Sequence, residues 1–420
     1  MTAERETSTG LPSLAGAPWL AKPATRAVLA ALKAAGFEGR IVGGSVRNTL
    51  MGLPVSDLDI ATPATPDDVV RACARAGLAT VPTGLAHGTV TVIADHTPTE
   101  VTTLRRDVET DGRRAVIVFT DDWAEDARRR DFTMNALYCD ADGRLYDYVG
   151  GYPDLVARRV RFIGDADERI AEDYLRILRF FRFHATYATG EPDPVALAAC
   201  ARGLPGMVRL SAERVRAELV KLLVAPGAVA AVQAMEDIGL LPALLGVAPR
   251  PHVMAGVVAA EAAAGEEPDA MLRLSGLAIA TSDDIPRVAR RLRLSTEERK
   301  SLLVIDREAL AKLGTIDGHR ARAIVYREGA AAARRQALAL AAIVPERLQE
   351  AALLRETAAT WQPPRLPVSG ADVMARGMRP GPAIGALLGE LEAWWIAEDF
   401  PPPDRTLQQL EAYLAARPRD

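Results

Sequence analysis

The chain has 420 residues, of which 49% are hydrophobic and 25% charged, a globular composition large enough for several domains. Its net charge of −4 excludes a broadly basic nucleic-acid-binding surface, so any such contact must use local clusters of cations. No apolar run approaches the ~20 residues of a membrane span, and the polar N-terminus lacks a signal-peptide pattern. Three widely spaced cysteines without metal-ligand spacing indicate a reducing compartment. We therefore expect a cytoplasmic protein.

The first part of the chain, up to about residue 162, predicts an α+β domain with a small mixed sheet. The hydrophobic patterns predict helices at 25–35, 45–51, 66–76 and 123–129. They predict strands at 39–43, 58–61, 89–94, 100–104, 115–119 and 136–139, with 89–94 and 100–104 pairing as a hairpin.

From about residue 165, helical periodicity dominates, strand signals disappear and alanine is abundant. Proline and glycine clusters divide this half into helical units. The predicted organisation is a catalytic head at 22–162, followed by three all-helical parts: a neck at 163–225, a body at 226–345 and a tail at 346–420.

The most informative segment runs from an apolar strand into Gly43 and Gly44, and then to Asp57 and Asp59. Strand residues two apart point to the same face, so both carboxylates should project together, and oxygen ligands of this kind suit Mg²⁺. Glycine-turn amides at a helix start suit phosphate. Taken alone, the acid pair is more often a solvated turn, and paired glycines are more often only a tight turn.

Two further residues extend this candidate site. Glu100 opens a predicted strand and could supply a third carboxylate for two metal ions, although an ordinary edge-strand glutamate is equally compatible with the pattern. Arg47 stands in the first turn of a helix, where a cation gains nothing from the helix dipole, so its position favours an anion partner such as a triphosphate.

Two later segments carry polar groups inside apolar surroundings. Arg130, Asp131 and Asn135 lie where an arginine run meets an apolar segment, and the asparagine could contact a ribose hydroxyl or a base edge. In the stretch 172–183, read as one helix, Asp173 and Arg176 could present a donor and acceptor pattern to a nucleobase. The alternative is a pair of ordinary helix salt bridges.

Together these segments resemble the class II tRNA nucleotidyltransferases, the CCA-adding enzymes and poly(A) polymerases of the polymerase β superfamily. The resemblance rests on the order of several motifs: IVGGSVRNTLMG, SDLDIAT, EVTTLR, ETDGRRAVIVF, RRDFTMNAL, EDYLRILRFFRFHA and SAERVRAELVKLL. It runs from about residue 22 to 222 with few gaps and then weakly to the end.

The resemblance implies an enzyme that adds or repairs the 3′-terminal CCA of tRNA from CTP and ATP, without a nucleic-acid template, by two-metal nucleotidyl transfer that releases pyrophosphate. Asp57, Asp59 and Glu100 would be catalytic, with Mg²⁺ on Asp57 and Asp59. Residues implied to bind the nucleotide are Gly43, Gly44, Arg47, Asp111, Arg113, Arg130, Asp131, Asn135, Asp173, Arg176 and Arg179. The implied partners are tRNA, CTP and ATP, with no membrane and no protein partner.

Two residues depart from the family pattern. Asn48 stands where the family usually has aspartate, and Arg114 stands where histidine is common. The competing interpretations are a poly(A) polymerase, a CC-only enzyme and a non-catalytic RNA-binding relative. The absence of a GKRF-like segment and the low pI argue against the first, the loop around Asp111 against the second, and the retained carboxylate pair against the third.

Overall fold

The structure is a computed structural model that describes residues 10–84, 87–111 and 114–416. The chain forms two compact units, Met1–Leu244 and Leu245–Asp420. In the described ranges, no helix is long and apolar enough to cross a membrane. The predicted division into head, neck, body and tail is finer than these two units and stays a prediction.

A mixed seven-stranded sheet forms the centre of the first unit, with strand order β3-β4-β5-β2-β1-β8-β9. Only β2 and β5 pair in parallel; the other neighbours are antiparallel. A separate hairpin joins β6 to β7. The strands are β1 Arg40–Val42, β2 Asp59–Thr62, β3 Ala79–Gly84, β4 Thr89–Ala94, β5 Thr97–Thr103, β6 Arg105–Asp111, β7 Arg114–Phe119, β8 Leu137–Cys139 and β9 Leu145–Asp147.

Helices cover the sheet and continue the first unit after it. They are α1 Pro18–Ala21, α2 Pro23–Ala34, α3 Gly44–Leu50, α4 Pro66–Arg75, α5 Trp123–Arg128, α6 Gly151–Val156, α7 Ala166–Glu172, α8 Leu175–Tyr187, α9 Pro194–Gly203, α10 Ala212–Leu223, α11 Ala228–Asp237 and α12 Leu240–Leu245, the last ending at the boundary of the units. Short 3₁₀ turns occupy Thr133–Asn135 and Leu204–Arg209.

Local sequence chemistry explains why these helices start where they do. Pro23 opens α2 at a position where the missing N–H costs nothing. Thr65 and Asp68 form a reciprocal capping box at the start of α4, followed by Pro66. Each helix then buries an apolar face, as α2 does with Val28 and Leu32, both fully shielded from solvent.

An aromatic cluster attaches α8 to the segments beside the sheet. The rings of Phe132 and Phe183 lie 5.0 Å apart, and those of Phe162 and Phe180 lie 5.8 Å apart. Phe132 also contacts Phe162, with ring centroids 5.0 Å apart. Such pairs add specific attraction to the burial of large apolar area, so α8 is held at a defined position against residues 131–135.

The second unit is all-helical in its described residues, with its own apolar core around Leu272, Val325 and Leu340. A smaller cluster that includes Val373, Leu387 and Leu410 packs near the C-terminus. The helices are α13 Pro251–Ala264, α14 Ala270–Ala278, α15 Asp284–Arg291, α16 Thr296–Lys300, α17 Arg307–Ala311, α18 Gly318–Glu328, α19 Ala330–Ile343, α20 Leu348–Thr360, α21 Gly370–Met374, α22 Pro382–Ala397 and α23 Pro403–Ala415, with a 3₁₀ turn at Pro345–Arg347.

The α+β class, the mixed sheet and the helical second half are confirmed. The predicted hairpin is present as β4 and β5, with Val90 opposite Val101. Two local predictions are wrong. Asp57 lies outside β2, which begins at Asp59. The stretch 172–183 is not one helix, because α7 ends at Glu172 and the backbone of Asp173 is extended, with φ −155° and ψ 105°.

Candidate active site

A glycine turn places the first elements of the site. Gly43 follows β1 with φ 76° and ψ −125°, a conformation that side chains disfavour, and α3 begins at the next residue. A Cβ on Gly43 would stand 3.8 Å from the carbonyl oxygen of Asn135 and 3.9 Å from Nη1 of Arg130. Because these distances are ordinary contacts, it is the positive φ of the turn that favours glycine at this position.

The strand register brings two of the predicted carboxylates together. Asp59 pairs with Val42 on one side and with Glu100 on the other, so the first residue of β2 lies beside the end of β1. Partial burial raises the pKa of the Asp59 carboxyl, and the negative charges of Glu100 and Asp57 raise it further, while Arg130 opposes them. Glu100 and Asp57 thus both act electrostatically on Asp59, although only Asp59 lines the pocket described below.

The pocket has a volume of about 510 Å³ and is lined by residues from β2, α3, α8, α10 and the 129–135 segment. Ten of the residues predicted from the sequence line it. They are Gly43, Gly44, Arg47, Asp59, Arg130, Asp131, Asn135, Asp173, Arg176 and Arg179. Four lining residues were not predicted: Arg129, Leu175, Phe183 and Arg214.

The remaining predicted site residues lie elsewhere or are not described. Asp57 and Glu100 do not line the pocket. Only the backbone of Asp111, at the end of β6, is described. Arg113 lies outside the described residues, so the predicted role of this loop stays a prediction.

Arg47 is a buried cation held by neutral groups. Its side chain is 6% exposed. Its Nη1 donates to Oδ1 of Asn135 at 2.5 Å, its Nε and Nη2 donate to Oδ1 of Asn48 at 3.1 and 2.9 Å, and its Nη2 donates to the Tyr187 hydroxyl at 2.7 Å. The guanidinium also lies over the Tyr187 ring, 3.9 Å from its centroid. Burial lowers the pKa of Arg47, and the neighbouring Arg182 and Arg179 lower it further, while Tyr187 and Asp131 oppose this effect.

Arg40 is a second buried arginine, but unlike Arg47 it is paired with a carboxylate. Arg40 is 1% exposed and donates to both carboxylate oxygens of Glu38, at 2.7 and 2.9 Å, and to the Tyr148 hydroxyl at 2.7 Å. Burial alone would lower the pKa of Arg40, but these partners outweigh burial and raise it. Among the described residues, Arg47 has no carboxylate within salt-bridge distance, so its positive charge is available to a bound anion.

Asp131 and Asn135 link neighbouring side chains of the pocket wall through hydrogen bonds. One Asp131 oxygen accepts from Nε and Nη2 of Arg179 at 2.8 and 2.5 Å, and the other accepts from Nδ2 of Asn135 at 3.1 Å. Arg179 holds the pKa of the buried Asp131 carboxyl below its usual value, against the effect of burial. Because Asn135 also accepts from Arg47, a chain of hydrogen bonds runs from α3 to α8.

The predicted base-reading pair has separate partners. Asp173 accepts from Nη2 of Arg214 at 2.6 Å and from the amide of Leu175 at 3.1 Å. Arg176 donates through Nη1 to Glu172 and, at 2.7 Å, to the carbonyl of Arg169. Asp173, in the break between α7 and α8, and Arg176, in the first turn of α8, therefore give the pocket wall an acceptor and a donor. Arg214 holds Asp173, and Glu172 holds Arg176.

Arg130 completes the wall next to Asp59. It pairs with Asp126 at 2.9 Å and contacts the Tyr138 hydroxyl at 3.1 Å. The Asp126 carboxyl is almost fully buried, and its pKa is far below the usual value because Arg129 and Arg130 outweigh the burial. Arg129 and Arg130 thereby share one buried anchor, which fixes both guanidinium groups at the pocket.

Comparison with known proteins matches these features to one family. Residues 39–161 match the family model "Poly A polymerase head domain", and residues 191–252 match "Probable RNA and SrmB- binding site of polymerase A". A solved structure, a Bacillus stearothermophilus CCA-adding enzyme in complex with CTP, is 27% identical with a TM-score of 0.67, covering 90% of this chain and 94% of that one. A Thermotoga maritima CCA-adding enzyme complexed with tRNA-CCA, 18% identical with a TM-score of 0.67 over 93% and 94%, shares the fold.

Curated relatives show similarity over most of the chain. The CCA-adding enzyme of Lacticaseibacillus paracasei is 32% identical over 89% of this chain and 92% of its own length. The mitochondrial CCA tRNA nucleotidyltransferase 1 of Mus musculus is 36% identical over 85% of this chain and 82% of its own length. On this similarity and the shared fold, the chain belongs to the CCA tRNA nucleotidyltransferase family.

Proposed function

We propose that this protein is a CCA tRNA nucleotidyltransferase that adds or repairs the 3′-terminal CCA of tRNA from CTP and ATP, releasing pyrophosphate. The observation that carries the proposal is the charge of the pocket. In a protein of net charge −4, its lining holds six arginines and three aspartates, an excess of three positive charges. A larger cavity of about 760 Å³, beside α7 and α9, has four arginines balanced by four carboxylates. Positive excess in the smaller pocket suits a triphosphate.

Residues in different parts of the pocket would bind different parts of the nucleotide. Arg47, with its uncompensated charge, would bind the triphosphate together with the backbone at Gly43 and Gly44. Asp173 and Arg176 would contact the base edge, because a carboxylate accepts from an amino group and a guanidinium donates to ring nitrogens or carbonyls. Asp131, Asn135 and Arg179 would hold the sugar and phosphates in register through their hydrogen-bonded chain.

The carboxylates fit a divalent cation by their chemistry. The described residues hold no cluster of three or more metal-ligating side chains that could bind an ion alone. Desolvation raises the pKa of the Asp59 carboxyl first, and the negative charges of Glu100 and Asp57 raise it further. A bound cation would offset that repulsion. Asp57 and Asp59, with Glu100 nearby, would hold Mg²⁺ together with oxygens of the triphosphate. When bound, the ion would lower the pKa of the tRNA 3′-hydroxyl and stabilise charge at the α-phosphate.

The cellular location is proposed as cytoplasmic. Support comes from the three free cysteines, Cys73, Cys139 and Cys200, which are all buried as thiols in the structure. Some relatives in this family carry names that place them in mitochondria. Fractionation of the source cells, followed by immunodetection, tests the proposal, and recovery in an organelle or membrane fraction would contradict it.

The activity is tested by incubating the protein with tRNA that lacks its 3′ end, with CTP, ATP or both, and sequencing the products. We expect addition of CCA only when both nucleotides are present. Long A-tracts made without CTP would instead identify a poly(A) polymerase, and CC without A would identify a CC-only enzyme. Asp59→Asn should abolish incorporation while tRNA affinity stays within about twofold, because the exchange removes one charge that the metal requires.

A further inference from the structure

The sequence contains only two asparagines, Asn48 and Asn135, and both accept a hydrogen bond from Arg47. Each also donates through Nδ2 to a second group. Asn135 donates to Asp131, which leads to Arg179 in α8. Asn48 donates to the carbonyl oxygen of Pro54 at 2.7 Å, in the segment that follows α3. Arg47 is thus the centre of two amide bridges.

The bridge through Asn48 requires an amide. Arginine can only donate and a backbone carbonyl can only accept, so the group between them must offer an acceptor to one and a donor to the other. An aspartate at this position would keep the contact with Arg47. However, one of its oxygens would then face the Pro54 carbonyl at hydrogen-bond distance with no proton between them.

The bridged segment carries one of the candidate metal ligands. After α3, the amide of Leu53 donates to the Asn48 carbonyl at 2.8 Å, and the Asn48 side chain then holds Pro54. Asp57 follows three residues later, a stretch that spans about 10 Å when fully extended. Within residues 55–58, the one side-chain hydrogen bond that involves Asp57 comes from its neighbour Ser56, at 3.0 Å. The contact at Pro54 is therefore the last anchor before Asp57.

We propose that Asn48 is a positioning residue that ties Arg47 to the segment carrying Asp57, so that the anion site and the carboxylate site keep a fixed spacing. The functional role of that spacing rests on the proposed function, in which Arg47 binds the triphosphate and Asp57 binds the metal. The hydrogen-bonded link between Arg47 and Pro54 does not depend on the proposed function. Tyr187, whose hydroxyl and ring both contact Arg47, provides the matched comparison.

The test uses the full-length protein in two measurements without tRNA or turnover. A nitroxide is attached through Ser56→Cys, since the three native cysteines are buried and Ser56 is exposed. Its electron paramagnetic resonance (EPR) line shape is compared in four backgrounds: unchanged Asn48, Asn48→Asp, Asn48→Leu and Tyr187→Phe. In parallel, Mn²⁺ is titrated into unlabelled proteins of the same four backgrounds with one equivalent of CTP and no tRNA. Free Mn²⁺ is followed by its EPR signal.

We expect both Asn48 variants to raise the mobile fraction of the label about fivefold, the factor that one lost hydrogen bond produces, and to weaken Mn²⁺ binding by a similar factor. Asn48→Asp is the stronger case, because its added negative charge would by itself favour a cation. Tyr187→Phe should change neither measurement but should raise the KM for CTP. Unchanged label mobility in Asn48→Asp and Asn48→Leu would overturn the link. A mobile label with unchanged Mn²⁺ affinity would overturn the positioning role. A wild-type protein that adds no nucleotide would overturn the proposed function alone.

Discussion

At the scale of single residues, Asp59 has an unusual carboxyl group. Most carboxyls in folded proteins have unshifted or lowered pKa values, whereas burial and the charges of Glu100 and Asp57 raise the pKa of Asp59. A raised pKa means that the folded protein binds this proton more tightly than the unfolded chain does. The resulting contribution favours folding below the ordinary pKa of 3.8 and is lost as the pH rises through the raised value.

The same pKa predicts how metal binding depends on pH. A cation needs the charged carboxylate, so Mn²⁺ affinity should fall as the pH drops through the raised pKa of Asp59. Glu100→Gln removes the like charge that raises this pKa most, so the fall in Mn²⁺ affinity should move to lower pH. The measurement is a Mn²⁺ titration with one equivalent of CTP, at pH values from the ordinary carboxyl pKa up to neutrality. Asp95→Asn, at an exposed turn after β4, is the control for a change of charge alone.

The midpoint and the plateau of Mn²⁺ affinity against pH give different information about Glu100. A shifted midpoint with an unchanged plateau would make Glu100 an electrostatic neighbour of the metal site, whereas a lower plateau would make it a ligand. An acid limb that stays in place in Glu100→Gln would contradict the electrostatic account of Asp59.

The identities of the pocket residues could be predicted from the sequence, but their partners could not. The glycine pair, the helix position of Arg47 and the polar residues inside apolar segments were local signals. That Arg47 is held by Tyr187 depends on where α8 packs, 140 residues away along the chain. Arg214 lacked a signal for the same reason, because its contact with Asp173 exists only once α10 packs against α8.

At the scale of elements, the break between α7 and α8 determines how Asp173 and Arg176, the residues proposed to contact the base, are held. A continuous helix would have paired Arg176 with Glu172 on an exposed face. In the structure, Glu172 accepts from both Arg169 and Arg176, and Arg169 also donates to the backbone carbonyls of Arg129 and Arg130. Glu172 thereby connects Arg176 to the arginine pair next to Asp59, and it is only 22% exposed at its side chain.

This arrangement predicts that Glu172→Gln loosens Arg176 and lowers the discrimination between CTP and ATP. A charge-assisted hydrogen bond of this kind contributes about 1.5 to 3 kcal/mol, so a loss of selectivity on the order of tenfold is expected. The readout is the ratio of kcat/KM for CTP and ATP on tRNA whose 3′ end lacks only the terminal A. Asp167→Asn, on the same helix, is the matched control.

The control breaks the Arg202–Asp167 pair, whose side chains are 58% and 48% exposed, and should change the ratio less than about twofold. Equal selectivity in Glu172→Gln and Asp167→Asn would return Arg176 to the role of an ordinary helix salt bridge.

The strands that the sequence did not reveal share a physical reason. β3 contains Pro82 and lies at the edge of the sheet, where it pairs with one neighbour only. β6 has the sequence RRDVETD, which lacks apolar alternation because its hairpin with β7 stands outside the main sheet. β9 is three residues long. Buried strands carry strong patterns, whereas edge and isolated strands are stabilised by pairing that the local sequence does not record.

At the scale of the whole molecule, every residue that lines the candidate pocket belongs to the first unit. The second unit has a separate apolar core and an internal buried ion pair, Arg273 with Glu261 at 2.7 Å, whose side chains are 6% and 1% exposed. A unit with its own core can in principle fold alone. The helical part of the chain, where we expect the RNA contacts, begins near residue 165 and so extends over both units. We therefore expect the second unit to supply part of the RNA affinity and none of the nucleotide pocket.

A fragment that ends at residue 248, past the end of α12, tests this separation. We expect it to fold and to bind CTP within about threefold of the full chain, since all the arginines proposed to bind the nucleotide are present. We expect its affinity for tRNA to fall at least tenfold, since any phosphate contacts made by the second unit are lost. Calorimetry with CTP and fluorescence anisotropy with labelled tRNA give the two constants at one fixed salt concentration. If the fragment binds tRNA as tightly as the full chain does, the RNA contacts belong to the first unit. If it binds neither ligand while its circular dichroism remains that of a folded protein, the pocket requires the second unit.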